Sequence, residues 1–226
     1  MFAEKGRTGM RAVQKSIEQL YRAFATTPRP RKIDGCPCCF TDEEIAVVLG
    51  KDLREIAPDE IASYASSAFL TVGAKGDYLY FLPRILEITA TEVGWWPDQA
   101  VTGRAIRDAE PDSWSDAQRG ALKQYLEAVI ESSIASERYY DLDDWMCAIG
   151  RMEFDVEPYL RQIEKSPAAV LDYFEHNAET LHQGRLSNLF WEPPNEAHDA
   201  VVNWFFSPEI AKIPYDAYGY VLTRAD

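Results

Sequence analysis

Three of the four cysteines fall within four residues, at Cys36, Cys38 and Cys39, and no other side chains in the chain offer chemistry so directly by type and spacing. Cys36 and Cys39 stand in a C-x-x-C relation just ahead of a predicted helix N-terminus. The helix dipole and the nearby Arg29, Arg31 and Lys32 are expected to favour the thiolate there. Thiolates so spaced can exchange with disulfides or ligate a metal. A thioredoxin-like reading requires a core strand before the motif, whereas residues 31–35 are the polar run Arg-Lys-Ile-Asp-Gly. Structural zinc needs four ligands. The cluster supplies two, or three with Cys38, and the rest would have to come from Cys147, His176, His182 or His198, all distant in the chain. Inert, half-buried thiols are the plain alternative, since cysteine is among the residues most often buried. Metal binding at Cys36, Cys38 and Cys39, with zinc the candidate ion, and redox activity stand open beside it.

The other constellations are less complete. Glu179 and His182 form an E-x-x-H with Glu175 one turn earlier, but a di-iron bundle needs a second such pair. The helical wheel places all three on the flank of the apolar face, as a solvated edge. Asp141-Leu142-Asp143-Asp144 begins like a calcium loop, yet Met146 and Met152 stand where that loop requires glycine and glutamate. There is no G-x-S-x-G elbow, no H-E-x-x-H and no Walker lysine, and Gly73-Ala74-Lys75-Gly76 reads as a turn between helices. No catalytic residue and no cofactor is assigned. Phe190-Trp191-Glu192-Pro193-Pro194 is an apolar, aromatic loop stiffened by prolines, which makes Phe190 and Trp191 the candidates for contact with a partner.

Apolar side chains recur at helical spacing almost throughout. Val13, Ile17, Leu20 and Phe24 mark a first helix over 10–25, ended by Pro28. Thr41 and Glu44 form a capping box for a short helix that Gly50 can close in the left-handed conformation. Pro58 opens a helix predicted to run to Val72 and to stop at Gly73. Residues 78–91 are helical with a break expected at Leu82-Pro83, and Asp98 starts the next helix. Ser115 and Gln118 cap a long helix carrying Leu122, Tyr125, Leu126 and Val129. Leu142 to Ile149 and a segment opened by Pro158 follow, then helices begun by Ser166-Pro167, by the region after Pro194 and by Ser207-Pro208. No alternating Val/Ile run bounded by a hairpin turn occurs. The expected fold is all-α, about ten helices in one domain over 1–226, arranged as an irregular HEAT-like αα-solenoid or a multi-helix bundle. Residues 1–9 read as open chain and a soft boundary is expected near 110–113.

From about residue 33 to residue 125, less than half the chain, the order of features resembles a group of uncharacterised bacterial all-helical proteins. The matching residues are Cys36-Pro37-Cys38-Cys39, Leu53-Arg54-Glu55-Ile56, Tyr64, Ala68, Thr71 to Gly73, Phe81-Leu82-Pro83-Arg84-Ile85-Leu86-Glu87, and Trp96-Pro97-Asp98. The resemblance implies a helical fold of unassigned activity and carries over no catalytic residue.

A net charge of −14 opposes nonspecific binding to nucleic acid or an anionic membrane, although residues 1–32 hold eight basic and two acidic side chains. No apolar run approaches a membrane span. The cysteine pattern is not that of a secreted disulfide framework, and a cytoplasmic location is expected. These features favour a noncatalytic helical module that binds a protein partner or its own copy. The alternative is a metal-binding or redox-active protein using Cys36, Cys38 and Cys39.

Overall fold

The structure, a computed structural model, describes residues 2–192 and 195–222. Its helices are α1 (Phe2–Ala23), α2 (Asp42–Gly50), α3 (Pro58–Ser67), α4 (Lys75–Thr91), α5 (Gln99–Asp108), α6 (Asp116–Ala135), α7 (Asp141–Arg151), α8 (Glu157–Ile163), α9 (Pro167–Leu181), α10 (Glu196–Phe205) and α11 (Pro208–Tyr218). Short 3-10 turns occur at Leu53–Glu55 and Pro111–Ser113. No strand is present among the described residues, so the fold is all-α. No described helix is long and apolar enough to cross a membrane.

Local chemistry accounts for most helix starts. The Thr41 hydroxyl accepts from the Glu44 N–H at 3.2 Å while Glu44 accepts from the Thr41 N–H at 2.8 Å. Ser115 and Gln118 form the same reciprocal pair, and Asp98, Ser166 and Ser207 each accept from a backbone N–H in the first turn of the helix they precede.

Several boundaries differ from the sequence reading. α1 is helical from Phe2, within the stretch read as open chain. α2 ends at Gly50 without a left-handed cap, because Arg29 supplies the closure, donating to the carbonyls of Leu49 at 2.5 Å and Lys51 at 2.6 Å. α3 stops at Ser67 rather than Val72, since Arg104 of α5 donates to the carbonyls of Ser66 and Ala68, both at 3.1 Å, and diverts the chain into a turn. That turn puts Phe69 in the left-handed region at φ 63°. Its ring meets Tyr78 edge-to-face at 5.1 Å, which offsets part of the backbone cost of roughly 1–3 kcal/mol. α4 runs unbroken through Pro83. The buried face formed by Phe81, Leu82, Ile85 and Leu86 outweighs the one backbone bond that proline removes.

The chain divides into two compact units, Val13–Tyr125, and Met1–Ala12 together with Leu126–Asp226, the divisions falling within α1 and α6 and not near 110–113. In the first unit, α3 packs on α2, α4 and α5. Its centre is Tyr64, whose ring meets Phe81 at 5.1 Å and Phe40 at 5.7 Å. The Tyr64 hydroxyl is buried with no hydrogen-bond partner among the described residues, a cost of about 1–3 kcal/mol that ring packing outweighs. In the second unit α9 packs on α8 and α11, and α10 on α7 and α11, around Tyr173, Phe174 and Phe205. The α7–α10 pairing skips two helices, which is closer to bundle closure than to stacked pairs.

Candidate metal centre

The backbone brings the three cysteines together by bracketing four residues between two anchors. Upstream, the Cys36 N–H donates to the Thr71 carbonyl and the Gly73 N–H donates to the Asp34 carbonyl, both at 2.8 Å, with Gly35 bridged antiparallel to Val72. Gly35 is required by close approach, since a Cβ there would lie 2.8 Å from the Val72 Cα and 2.9 Å from the Thr71 carbonyl oxygen. Downstream, Phe40 is 1% exposed and packs on Tyr64, worth about 1.5–3 kcal/mol of apolar burial. Thr41 then opens α2. Between the anchors the Cys39 and Phe40 N–H groups donate to the Cys36 carbonyl at 3.0 and 3.1 Å, closing a tight turn with Pro37 at the position where its fixed φ is suited.

This turn projects three sulfurs into one small volume. Cys36 Sγ lies 2.7 Å from Cys38 Sγ, Cys38 Sγ lies 3.9 Å from Cys39 Sγ, and all three fall within 4.8 Å of one another. Cys38 is exposed and its two neighbours half-buried, so the trio is not a buried packing element. The protons are shared unequally. Hydrogen bonding from Cys38, helped by Cys39, holds the Cys36 thiol below the usual range, while Cys38, facing both neighbours, is pushed up to about 11. The expected influence of the basic loop is not what lowers Cys36. Arg29 is engaged at the far end of α2, and Lys32 pairs with Asp34 at 2.8 Å. The first turn of α2 carries Asp42, Glu43 and Glu44, which oppose the positive end of its dipole.

A tetrahedral zinc with bonds near 2.3 Å spaces its sulfurs about 3.8 Å apart. The Cys38–Cys39 separation meets that spacing, and the Cys36–Cys38 pair would have to open by about 1 Å. Of the distant residues considered as further ligands, none joins the group. Cys147 is fully buried in α7, and His198 is buried with its Nδ1 3.0 Å from Asp199. Glu175 and Glu179 on α9 and His182 just past its end are exposed, the solvated flank that the helical wheel gives, and His176 on α9 is exposed as well.

The aromatic loop of the second unit turns one of its two candidates inward. Trp191 is 4% exposed, donates its indole N–H to Asp143 at 3.4 Å and covers Gly150, where a Cβ would come within 2.5 Å of the indole. The outward side chains are Leu189, 85% exposed, and Phe190, 43% exposed, whose carbonyl accepts from Arg151 at 2.8 Å. Pro193 and Pro194 lie outside the described residues. Asp143, read from sequence as an incomplete calcium position, is instead the buried acceptor that fixes this loop, receiving Tyr173, Trp191 and the Asn188 N–H. Of the other residues that build the cysteine site, Thr71 and Val72 fall in a segment that carries the resemblance, but nothing in the sequence pairs residues 34–36 with 71–73 or seats Phe40 against Tyr64. No family model, curated protein or solved structure matches the chain.

Proposed function

We propose that this is a helical metal-binding protein in which Cys36, Cys38 and Cys39 together hold one soft, thiophilic cation of the zinc class. The observation that supports the reading is the convergence of three sulfurs within 4.8 Å on a turn whose two ends are tied to the fold. Soft thiolate donors select zinc and its congeners over hard cations. A titration of the reduced protein with Cd²⁺, followed by thiolate-to-metal charge-transfer absorption, is expected to saturate at one equivalent. Cys38→Ser is expected to weaken binding by about a hundredfold or more while leaving the helical circular dichroism unchanged. A titration that yields no charge-transfer band defeats the proposal.

Protein interaction is the second reading, favoured by Leu189 and Phe190 standing exposed on a loop whose base is fixed by Asp143. It leads to the expectation that Leu189→Asp abolishes any self-association seen by light scattering without lowering the melting midpoint. An unchanged association state in the variant removes this loop from the interface.

A further inference from the structure

We infer that a cation held by Cys36, Cys38 and Cys39 keeps one coordination position facing solvent, and that this position takes a thiolate from outside the chain. The inference rests on the metal-binding reading and adds what the bound ion does next. Among the described residues no fourth His, Cys, Asp or Glu brings a ligand atom into the cluster. Closed structural zinc sites are completed by four protein ligands, and sites that exchange or react keep three with an open position. Cys38 at the centre of the turn is exposed and its neighbours are half-buried, so the ion sits at the protein surface. The ligand turn cannot fold over the ion to cover it. It is four residues long, tied at Cys36 to the Thr71 carbonyl and anchored at Phe40, which is buried against Tyr64. The next residues enter α2, whose first turn is committed to the Thr41–Glu44 capping box.

Three thiolates make the ion soft, and the donor that competes best for its open position is a fourth sulfur. Binding there is a ligand substitution without redox change. The incoming thiol gives its proton to the buffer, its sulfur forms the new bond, and a water leaves the metal. Two sources have this chemistry, a low-molecular-weight thiol, which loses its proton as above, and the Cys38 thiolate of a second loaded copy, already deprotonated, which bridges the two ions as a water leaves.

The full-length reduced protein is loaded with one equivalent of Co²⁺, freed of excess thiol, and titrated with 2-mercaptoethanol while its visible and near-ultraviolet spectrum and its mass in solution are followed. The expected result is a monomer whose thiolate-to-cobalt charge-transfer band grows by about one-third, as three sulfur ligands become four. A loaded protein that is already dimeric, with the four-sulfur intensity before any thiol is added, upholds the external thiolate and assigns it to the second copy. A monomer whose three-sulfur spectrum does not respond to thiol overturns the inference and leaves metal binding intact. Failure to bind cobalt at all overturns the metal-binding reading, and this inference with it.

Discussion

Replacing Asp143 with alanine is expected to lower stability by about 3 kcal/mol, seen as a fall of about 6–12 °C in the melting midpoint. The carboxylate is 1% exposed on α7 and receives the Tyr173 hydroxyl at 3.1 Å, the Trp191 indole N–H at 3.4 Å and the Asn188 backbone N–H at 3.1 Å. Alanine leaves three buried donors without an acceptor, each costing about 1–3 kcal/mol before relaxation and water entry recover part of it. The effect depends on pH with a definite sign. Burial pushes the Asp143 carboxyl above the usual aspartate range, and hydrogen bonds from Trp191 and Tyr173, the nearby His176 and the Asn188 N–H pull it back only in part. The folded state therefore holds this proton more tightly than the unfolded chain does. Its contribution is complete below the ordinary aspartate range and is lost as pH rises through the raised value. Thermal melts of both proteins at neutral pH and at mildly acidic pH check this. The wild-type lead is expected to widen on acidification; equal midpoints at both pH values would show that Asp143 does not fix the 186–191 loop, and a lead that narrows would show that burial does not raise its carboxyl.

What the sequence reveals and what it hides divide along the distance over which each interaction acts. Thr41, Ser115, Ser166 and Ser207 are legible because a cap is satisfied within three residues of itself. The end of α3 is illegible for the opposite reason. The group that takes its last carbonyls is Arg104, 36 residues from Ala68, and nothing in the run from Ile61 to Val72 announces it. Pro83 shows local preference losing to packing, because the helix that it should break is held in the core by Phe81, Leu82, Ile85 and Leu86, with Pro83 itself buried among them. The cysteine site has both kinds of information. The spacing of Cys36, Cys38 and Cys39 marks a thiol cluster, but its being held open and outward depends on the bridge from Gly35 to Val72, between segments far apart in the chain. Trp191 is a similar case. An aromatic residue just ahead of two prolines suggests an exposed anchor, and only the fold supplies the bare backbone of Gly150 and the acceptor on Asp143 that draw it inside.

On the metal-binding proposal, Gly35→Ala is expected to lower Cd²⁺ affinity before it costs the fold. The added methyl meets the Val72 Cα at 2.8 Å and the Thr71 carbonyl oxygen at 2.9 Å, which are backbone atoms and cannot rotate aside. Relief requires residues 34–36 to withdraw from residues 71–73, which breaks the two 2.8 Å bonds that tie the ligand turn to the fold. Overpacking of this kind costs about 1–3 kcal/mol, within what a chain of this size can absorb. The sulfurs are more sensitive than the core, because the turn they share loses its upstream anchor while Phe40 still holds the other end. Losing an orienting contact behind the ligands lowers metal affinity by about 10–100-fold, and that loss is expected in the Cd²⁺ titration of the variant. Gly76→Ala is the matched control. Nothing lies within 4 Å of its added methyl near the start of α4, so it is expected to gain about 0.5–1 kcal/mol of stability and to bind Cd²⁺ as the wild type does. If Gly35→Ala loses stability yet binds Cd²⁺ with unchanged affinity, the three thiols assemble around the ion without help from the bridge. Preorganisation of the turn is then wrong. Loss of affinity in Gly35→Ala alone, with all three cysteines in place, locates the source of the site in the backbone contact between residues 34–36 and 71–73.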